Sequence, residues 1–416
     1  MTAFAPACET SLDLALTGRG LAADLCSSQD QRRSFKIQRL NPPGIHSSKN
    51  LSSLTPSLPL GLAYVAAALE RTGFSVGVID AIGEAPSRVE KEGVFRRVGL
   101  GTADIIRWID ADTRVLALSV MFSFLWPSTR KLIHGIRAAR PDLVIVGGGE
   151  HFTGLTEASM EQAPLDFIVM GEGEETAVVL MDALAAGLTD YERVSGVAWR
   201  DGGRIRVNAR RSRHRDVDDL PWPAWHLFDV RAYDERGLVN GIHKGLTIPI
   251  LATRGCPYQC TYCSSPSMWT QRWLPRDPVD VAEEIEHYVR TYGAANFPFA
   301  IIRKDWTVAF CRELIRRKLE VVWQFPSGTR CEAIESVNLR LRAENNFCEH
   351  LSASAFTFAK YWVFLNFYLA SLLARRSPLM RVLSSLWTSR EDSKLEALVQ
   401  EIKRRFKVSL RLAQTP

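Results

Sequence analysis

Apolar and polar residues alternate through Phe35-Lys36-Ile37-Gln38-Arg39-Leu40, as they do along a half-buried strand, and the run ends at the turn signal Asn41-Pro42-Pro43-Gly44. After a Ser-rich stretch reaching Pro59, residues 60–72 place Ala and Leu at helical spacing and stop at Gly73, a residue that closes helices. Residues 74–80 are apolar and β-branched, which predicts a second strand. The alternation then recurs: strand over 114–120, helix over 128–139, strands over 143–146 and 166–170, helix over 174–186. Strands that are apolar throughout are covered on both faces, so the pattern predicts an α/β, doubly wound, Rossmann-like or flavodoxin-like domain over residues 35–190. Residues 1–34 show no sustained period and read as a loose tail.

Residues 194–207 predict a hairpin around Asp201-Gly202-Gly203, and Asp218-Asp219-Leu220-Pro221-Trp222-Pro223-Ala224-Trp225 a stiff connector, so 191–245 reads as hairpin and linker. A second series begins at the β-like run 246–253, followed by helix 279–292, strand 297–302, helix 307–318 and strand 320–325. The loop Pro326-Ser327-Gly328-Thr329-Arg330 and a weak helix over 334–345 complete it. At roughly 30 residues per βα unit, 246–346 holds about three units, an incomplete barrel with an open strand edge. Residues 347–416 read as a helical tail. Its aromatic-rich run 361–374 is shorter than the ~20 residues that span a bilayer, so it predicts a helix packed on the barrel or lying at a membrane surface.

The 416-residue chain is long enough for two or three domains, and 46% hydrophobic with 24% charged residues is ordinary for a chain that buries cores. A net charge of +6 is too mild to argue for nucleic acid. Cys8, Cys26, Cys311, Cys331 and Cys348 have neither ligand nor disulfide spacing, which fits a reducing cytoplasm. The stretch around Glu9 and Asp13 lacks a basic segment followed by an apolar one, so no secretory signal is expected.

The densest chemistry is in Arg254-Gly255-Cys256-Pro257-Tyr258-Gln259-Cys260-Thr261-Tyr262-Cys263. Three thiolates on one short loop suit an iron–sulfur cluster or zinc; zinc wants a fourth Cys or His, and none stands at ligand spacing within the loop. A cubane cluster held by three cysteines keeps one iron open. In the first domain, ligands are expected beyond the carboxyl ends of the strands, where Asn41-Pro42-Pro43, residues 119–124, Gly147-Gly148-Gly149-Glu150-His151 and Gly171-Glu172-Gly173-Glu174 fall. Each glycine run taken singly is equally a tight turn.

The cysteine loop, with Arg254-Gly255-Cys256-Pro257-Tyr258 and Cys263-Ser264-Ser265-Pro266 around it, resembles that of radical S-adenosylmethionine enzymes. Together with Pro59-Leu60-Gly61-Leu62-Ala63-Tyr64 and the glycine runs, residues 36–330 resemble the branch whose barrel follows a cobalamin-binding domain. The resemblance implies a 4Fe-4S cluster on Cys256, Cys260 and Cys263, S-adenosylmethionine near Tyr262, Ser327 and Arg330, and cobalamin over Pro43, Ser119, Gly147, Gly148, Gly149, His151, Gly171 and Glu172. The axial-ligand signature Asp-x-His-x-x-Gly is half met: His151-Phe152-Thr153-Gly154 is present, but Gly149 stands where Asp belongs. A packing or loop role for His151 is therefore expected, with a corrin contact as the alternative. The implied activity is reductive cleavage of S-adenosylmethionine to a 5'-deoxyadenosyl radical, with methyl transfer to an unactivated position of a small molecule; the aromatic and basic tail is what suggests that this molecule is hydrophobic. The activity implies a flavodoxin- or ferredoxin-type electron donor and no nucleic acid. The family barrel needs about six units, so the alternative is an impaired cluster- or cobalamin-binding protein whose open edge a partner chain covers. Peripheral contact with the inner face of the membrane is the expectation from the tail.

Overall fold

The computed structural model describes residues 29–47, 56–93, 95–214, 216–238, 245–260, 263–300, 304–324 and Trp362. The expectations for residues 1–28, Tyr262, Ser327, Arg330, the helix over 334–345 and the remainder of the 347–416 tail lie outside them.

In the first lobe, strands β1 (Lys36–Asn41), β3 (Ser75–Asp80), β6 (Val115–Ser119), β7 (Val144–Gly148) and β8 (Phe167–Val169) run parallel. They lie in the order β3-β1-β6-β7-β8. Strand order reverses at β1, which opens a crevice between the ends of β1 and β6, where doubly wound folds bind ligands. The antiparallel hairpin β9 (Val197–Asp201) and β10 (Arg204–Val207) extends the same sheet beside β8. The predicted hairpin is therefore part of the first lobe rather than of the linker.

The helices α2 (Leu60–Arg71) and α7 (Gly173–Ala185) cover one face, and α3 (Thr102–Trp108) with α4 (Trp126–Ala139) the other. The short helix α1 (Gln29–Ser34), at the end of the predicted loose tail, is tied down: Arg32 grips both oxygens of the buried Asp182 at 2.7 and 2.8 Å. A second, three-stranded antiparallel sheet of β2 (Gly44–Ser47), β5 (Phe95–Val98) and β4 (Val89–Glu92) sits beside the crevice. Its strands are four residues each, too short to register as alternation.

The second lobe holds three extended segments side by side. Ile248 and Ile250 donate to the carbonyls of Asn296 and Pro298, so residues 247–250 run along β13 (Asn296–Pro298), which pairs in parallel with β14 (Val322–Gln324). The Ile248 and Ile250 N–H groups both point to β13, so the Pro249 nitrogen lies on the other side and its missing donor costs this ladder nothing; Thr253–Arg254 (β11) pairs instead with β12 (Leu274–Pro275). Helix α10 (Pro278–Tyr292) starts with Asp277 accepting from the Val279 N–H and Pro278 in the first turn, and ends at Gly293 in the left-handed region. Helix α11 (Lys304–Arg317) packs beside it.

One apolar core unites the lobes. It joins Leu58, Leu62 and Ile82 of the first to Ile248, Ile250, Ile285, Tyr288, Phe297 and Phe310 of the second. The connector supplies the seal: Trp225 and Tyr233 are both buried within it. Tyr233, from helix α8 (Val230–Glu235), donates its hydroxyl to the carboxylate of Asp80 at the end of β3, and Asn41 at the end of β1 donates to the same carboxylate at 2.7 Å. Burial pushes the Asp80 carboxyl up, with the hydrogen bonds opposing it.

Tyr233→Phe keeps the ring and removes that donor. The expected loss is about 1–3 kcal/mol, read from the urea midpoint. Because the raised Asp80 is protonated in acid and needs the donor most when ionised, the penalty is expected to be larger at neutral than at acidic pH.

Candidate functional site

Parallel strands end on one edge of the sheet, so β1, β6, β7 and β8 deliver Pro43, Ser119, Gly148 and Gly171 to the same side. Pro43 is buried and lines a cavity of about 280 Å³ beside the crevice, together with Glu92, Arg97, Thr102, Ser128 and Lys131. The loop after β6 exposes Met121, Phe122 and Phe124, the two phenyl rings stacked at 5.4 Å.

Gly149 sits at φ +102° with a Cβ position only 2.7 Å from the Val120 carbonyl, so a side chain there is excluded by the fold itself. The Cβ position of Gly147 meets the Phe152 ring at 3.1 Å, whereas that of Gly148 has nothing nearer than 3.9 Å. His151 is buried: its Nδ1 lies 3.0 Å from Ser123 Oγ, its Nε2 3.4 Å from Ser159 Oγ, and its ring packs on Trp126 and Phe152. Burial lowers its pKa. The imidazole is thus placed inside the lobe with both nitrogens within reach of a serine hydroxyl.

The cysteine loop leaves the end of β11 and is followed by helix α9 (Ser265–Trp269). Cys263 N–H donates to the Cys260 carbonyl, and Ser265 N–H points at Cys263 Sγ at 3.4 Å. All three thiols are free, Cys256 half-buried and Cys260 and Cys263 exposed. Among the described residues no three His, Cys, Asp or Glu side chains converge as metal ligands. The donor set itself fits an iron–sulfur cluster: three unpaired thiols within eight residues, with an N–H directed at one sulfur.

The base of the loop is held by charge. Arg254, one residue before Gly255, is 7% exposed and donates to Glu174 at 2.6 Å, while Glu174 itself is 5% exposed. Glu172 lies 3.6 Å from Arg254 and 3.2 Å from Arg213, and accepts from the His214 N–H at 2.7 Å. Arg213 reaches on to the carbonyls of Trp269 and Arg272, and the Trp269 ring lies under both guanidinium groups at 5.8 and 5.4 Å. Burial alone would raise the Glu174 carboxyl; Arg254, by charge and hydrogen bond, outweighs it and holds Glu174 below its ordinary value. Behind it, Arg39 on β1 is buried with its Nε unpartnered. Burial pulls its pKa down to about 10, and the charge of Glu174 opposes that fall.

A second contact ties the two loops: Ser264 Oγ, next to Cys263, donates to Glu150, next to Gly149, at 3.2 Å. The structure therefore brings the cysteine loop to the glycine-rich strand ends. It uses Glu172, expected at a corrin, as the anchor of two arginines. Arg213 and the Glu174–Arg254 pair are absent from the expectations of the sequence. Their only signal was an Arg-rich connector, Arg210-Arg211-Ser212-Arg213-His214, set against a Gly-Glu-Gly-Glu loop.

Residues 51–181 match the B12 binding domain. Cytidylyl-2-hydroxyethylphosphonate methyltransferase of Streptomyces wedmorensis is 28% identical over 348 residues, covering 76% of this chain and 64% of that protein. Anaerobic magnesium-protoporphyrin IX monomethyl ester cyclase of Cereibacter sphaeroides is 31% identical over 275 residues, covering 64% of this chain and 42% of that protein. The solved structure of the cobalamin-dependent S-adenosylmethionine radical enzyme OxsB with aqua-cobalamin shares the fold. Its TM-score is 0.51 at 19% identity, and the match covers 69% of this chain and 38% of that one. The chain is thus similar to cobalamin-dependent radical SAM methyltransferases and cyclases, and it spans only 42% to 64% of the two curated relatives.

Glu174→Gln leaves the buried Arg254 only the more distant Glu172, 3.6 Å away, as counter-charge, and the expected loss is up to about 3–5 kcal/mol in urea unfolding. Since the folded Glu174 pKa is depressed, its contribution is full above the ordinary carboxylate range and disappears as pH falls through the folded value. The difference between variant and parent is therefore expected to narrow in acid; a difference that stays constant with pH would contradict the assignment.

Proposed function

We propose that this chain acts as a cobalamin-dependent radical SAM enzyme, with Cys256, Cys260 and Cys263 as ligands of a 4Fe-4S cluster and the glycine-rich strand ends as the seat of cobalamin. The observation that carries the reading is the buried clamp of Glu172 and Glu174 on Arg254 and Arg213, which fixes a three-cysteine loop against the edge of a B12-binding domain. When bound, these groups would supply an electron that cleaves S-adenosylmethionine to a 5'-deoxyadenosyl radical, and a methyl group for an unactivated position of the substrate.

The chain's own share is placement and exclusion of water. Three thiolates anchor the cluster, with the Ser265 N–H on one sulfur. Tyr262, Ser327 and Arg330 are assigned to S-adenosylmethionine, and Pro43, Ser119, Gly148 and Gly171 to cobalamin. A cavity of about 250 Å³ at the ends of the second lobe's strands, lined by Leu58, Leu60, Ile250, Ala252, Pro298 and Phe299, suits an apolar small molecule. A flavodoxin or ferredoxin would deliver the electron in a reducing cytoplasm. No helix among the described residues is long and apolar enough to cross a membrane. Contact with a membrane surface is a proposal that rests on the tail sequence alone.

A second reading is favoured by one observation: the second lobe contains three parallel segments among its described residues, fewer than a full barrel. On that reading the chain binds cluster and cobalamin without turnover, a partner chain covering the open edge.

Anaerobic reconstitution separates them. Iron, acid-labile sulfide and cobalt are expected in the purified chain, and dithionite with S-adenosylmethionine is expected to yield 5'-deoxyadenosine. Cys256→Ala should abolish both sulfide retention and product. Full cofactor loading without 5'-deoxyadenosine would overturn catalysis and leave the binding reading; zinc without sulfide would overturn both.

A further inference from the structure

The clamp leaves one donor unused. Arg213 is anchored by Nε on Glu172 and by Nη1 on the carbonyls of Trp269 and Arg272, and its side chain is 10% exposed. Its Nη2 is buried and has no hydrogen-bond partner. That nitrogen faces Gly255, where an ideal Cβ position lies 3.3 Å from Nη2, 2.9 Å from Nη1 and 2.2 Å from the Arg272 carbonyl. Gly255, at φ +86°, is the residue immediately before Cys256 and the only type of residue this approach admits.

A buried cationic N–H without an acceptor costs about 1–3 kcal/mol; the contacts of Nε and Nη1 account for an arginine at this position but leave Nη2 without a use. We infer that Arg213 Nη2 is held free for an acceptor carried by the cysteine loop, the sulfur bound at Cys256, and that Arg213 is a positioning residue that tunes the cluster. This rests on the reading of Cys256, Cys260 and Cys263 as cluster ligands. A guanidinium cation beside a cluster sulfur stabilises the reduced form, which carries one more negative charge, and so raises the midpoint potential. The same arginine shares Glu172 with Arg254, so a change at the first lobe's edge reaches the cluster through one carboxylate.

The test is spectroscopic. In the reconstituted full-length chain labelled with ¹⁵N-arginine, pulsed EPR of the reduced cluster is expected to show a ¹⁵N coupling that Arg213→Gln abolishes. An EPR redox titration of the loaded fraction, normalised to iron and sulfide per chain, is expected to place Arg213→Gln at a lower potential than the parent, with Arg213→Lys in between. Absence of the coupling in the parent, or an unshifted potential in a fully loaded Arg213→Gln, would overturn the inference, and the parent measurement stands even where the variant fails to fold. A parent chain that retains no iron or sulfide would instead sink the cluster reading beneath it.

Discussion

The ion pair between Glu174 and Arg254 is the constraint on which the rest of this structure turns. Each side chain is nearly inaccessible, and each comes from a different lobe, so neither charge is tolerable alone in that position. Taking an ionised carboxylate and a guanidinium out of water costs several kcal/mol apiece, and mutual attraction with good geometry is what offsets it. Docking of the lobes is therefore conditional on register: a shift that separates the pair leaves two buried charges exposed to each other's absence. An apolar patch alone would allow sliding, because burial of area is non-directional. Here the shared apolar core supplies the adhesion and the charges supply the alignment.

That alignment has a direction. The parallel strands of the first lobe end at the edge where Glu172 and Glu174 emerge, and the extended segments of the second lobe end where Arg254 leads into the cysteines. The clamp thus sets carboxyl end against carboxyl end, the two places where α/β folds collect ligands. Asp80 repeats the device with uncharged donors, its carboxylate accepting from Tyr233 of the connector and Asn41 of β1. Arg276 repeats it again in charged form, buried among Glu284, Asp280 and Asp218, with its charge favoured by those carboxylates against the cost of burial.

Much of this was legible in the residues. Continuous apolar strands with helices between them specified a parallel doubly wound sheet, because such strands leave no polar face for water. The hairpin at Asp201-Gly202-Gly203, the helix beginning at Pro278 and the three-cysteine loop all fell where local chemistry puts them. What the sequence hid were arrangements made by distant residues. Glu172 read as part of a ligand loop because glycines flank it; only the fold reveals that Arg213, 41 residues away, takes it. The three-stranded sheet at β2, β5 and β4 escaped because four-residue strands give too few positions to show a period. The run over 246–253 read as one strand, whereas the fold divides it between a parallel ladder at 247–250 and β11 at Thr253–Arg254.

The spacing of anchors along the cysteine loop explains why the clamp sits where it does. Among the described residues of the loop, Cys263 donates to the Cys260 carbonyl, Ser265 to Cys263 Sγ, and Ser264 to Glu150 of the first lobe. Bonds within the loop set its local turn but cannot fix its position relative to another lobe; contacts that cross to the first lobe do that. Arg254 is one end; Trp269 and Arg272, gripped by Arg213, are the other; and Glu172 joins the two grips through a single carboxylate. Grips at both ends that meet on one carboxylate fix where the three cysteines between them lie relative to the glycine-rich strand ends.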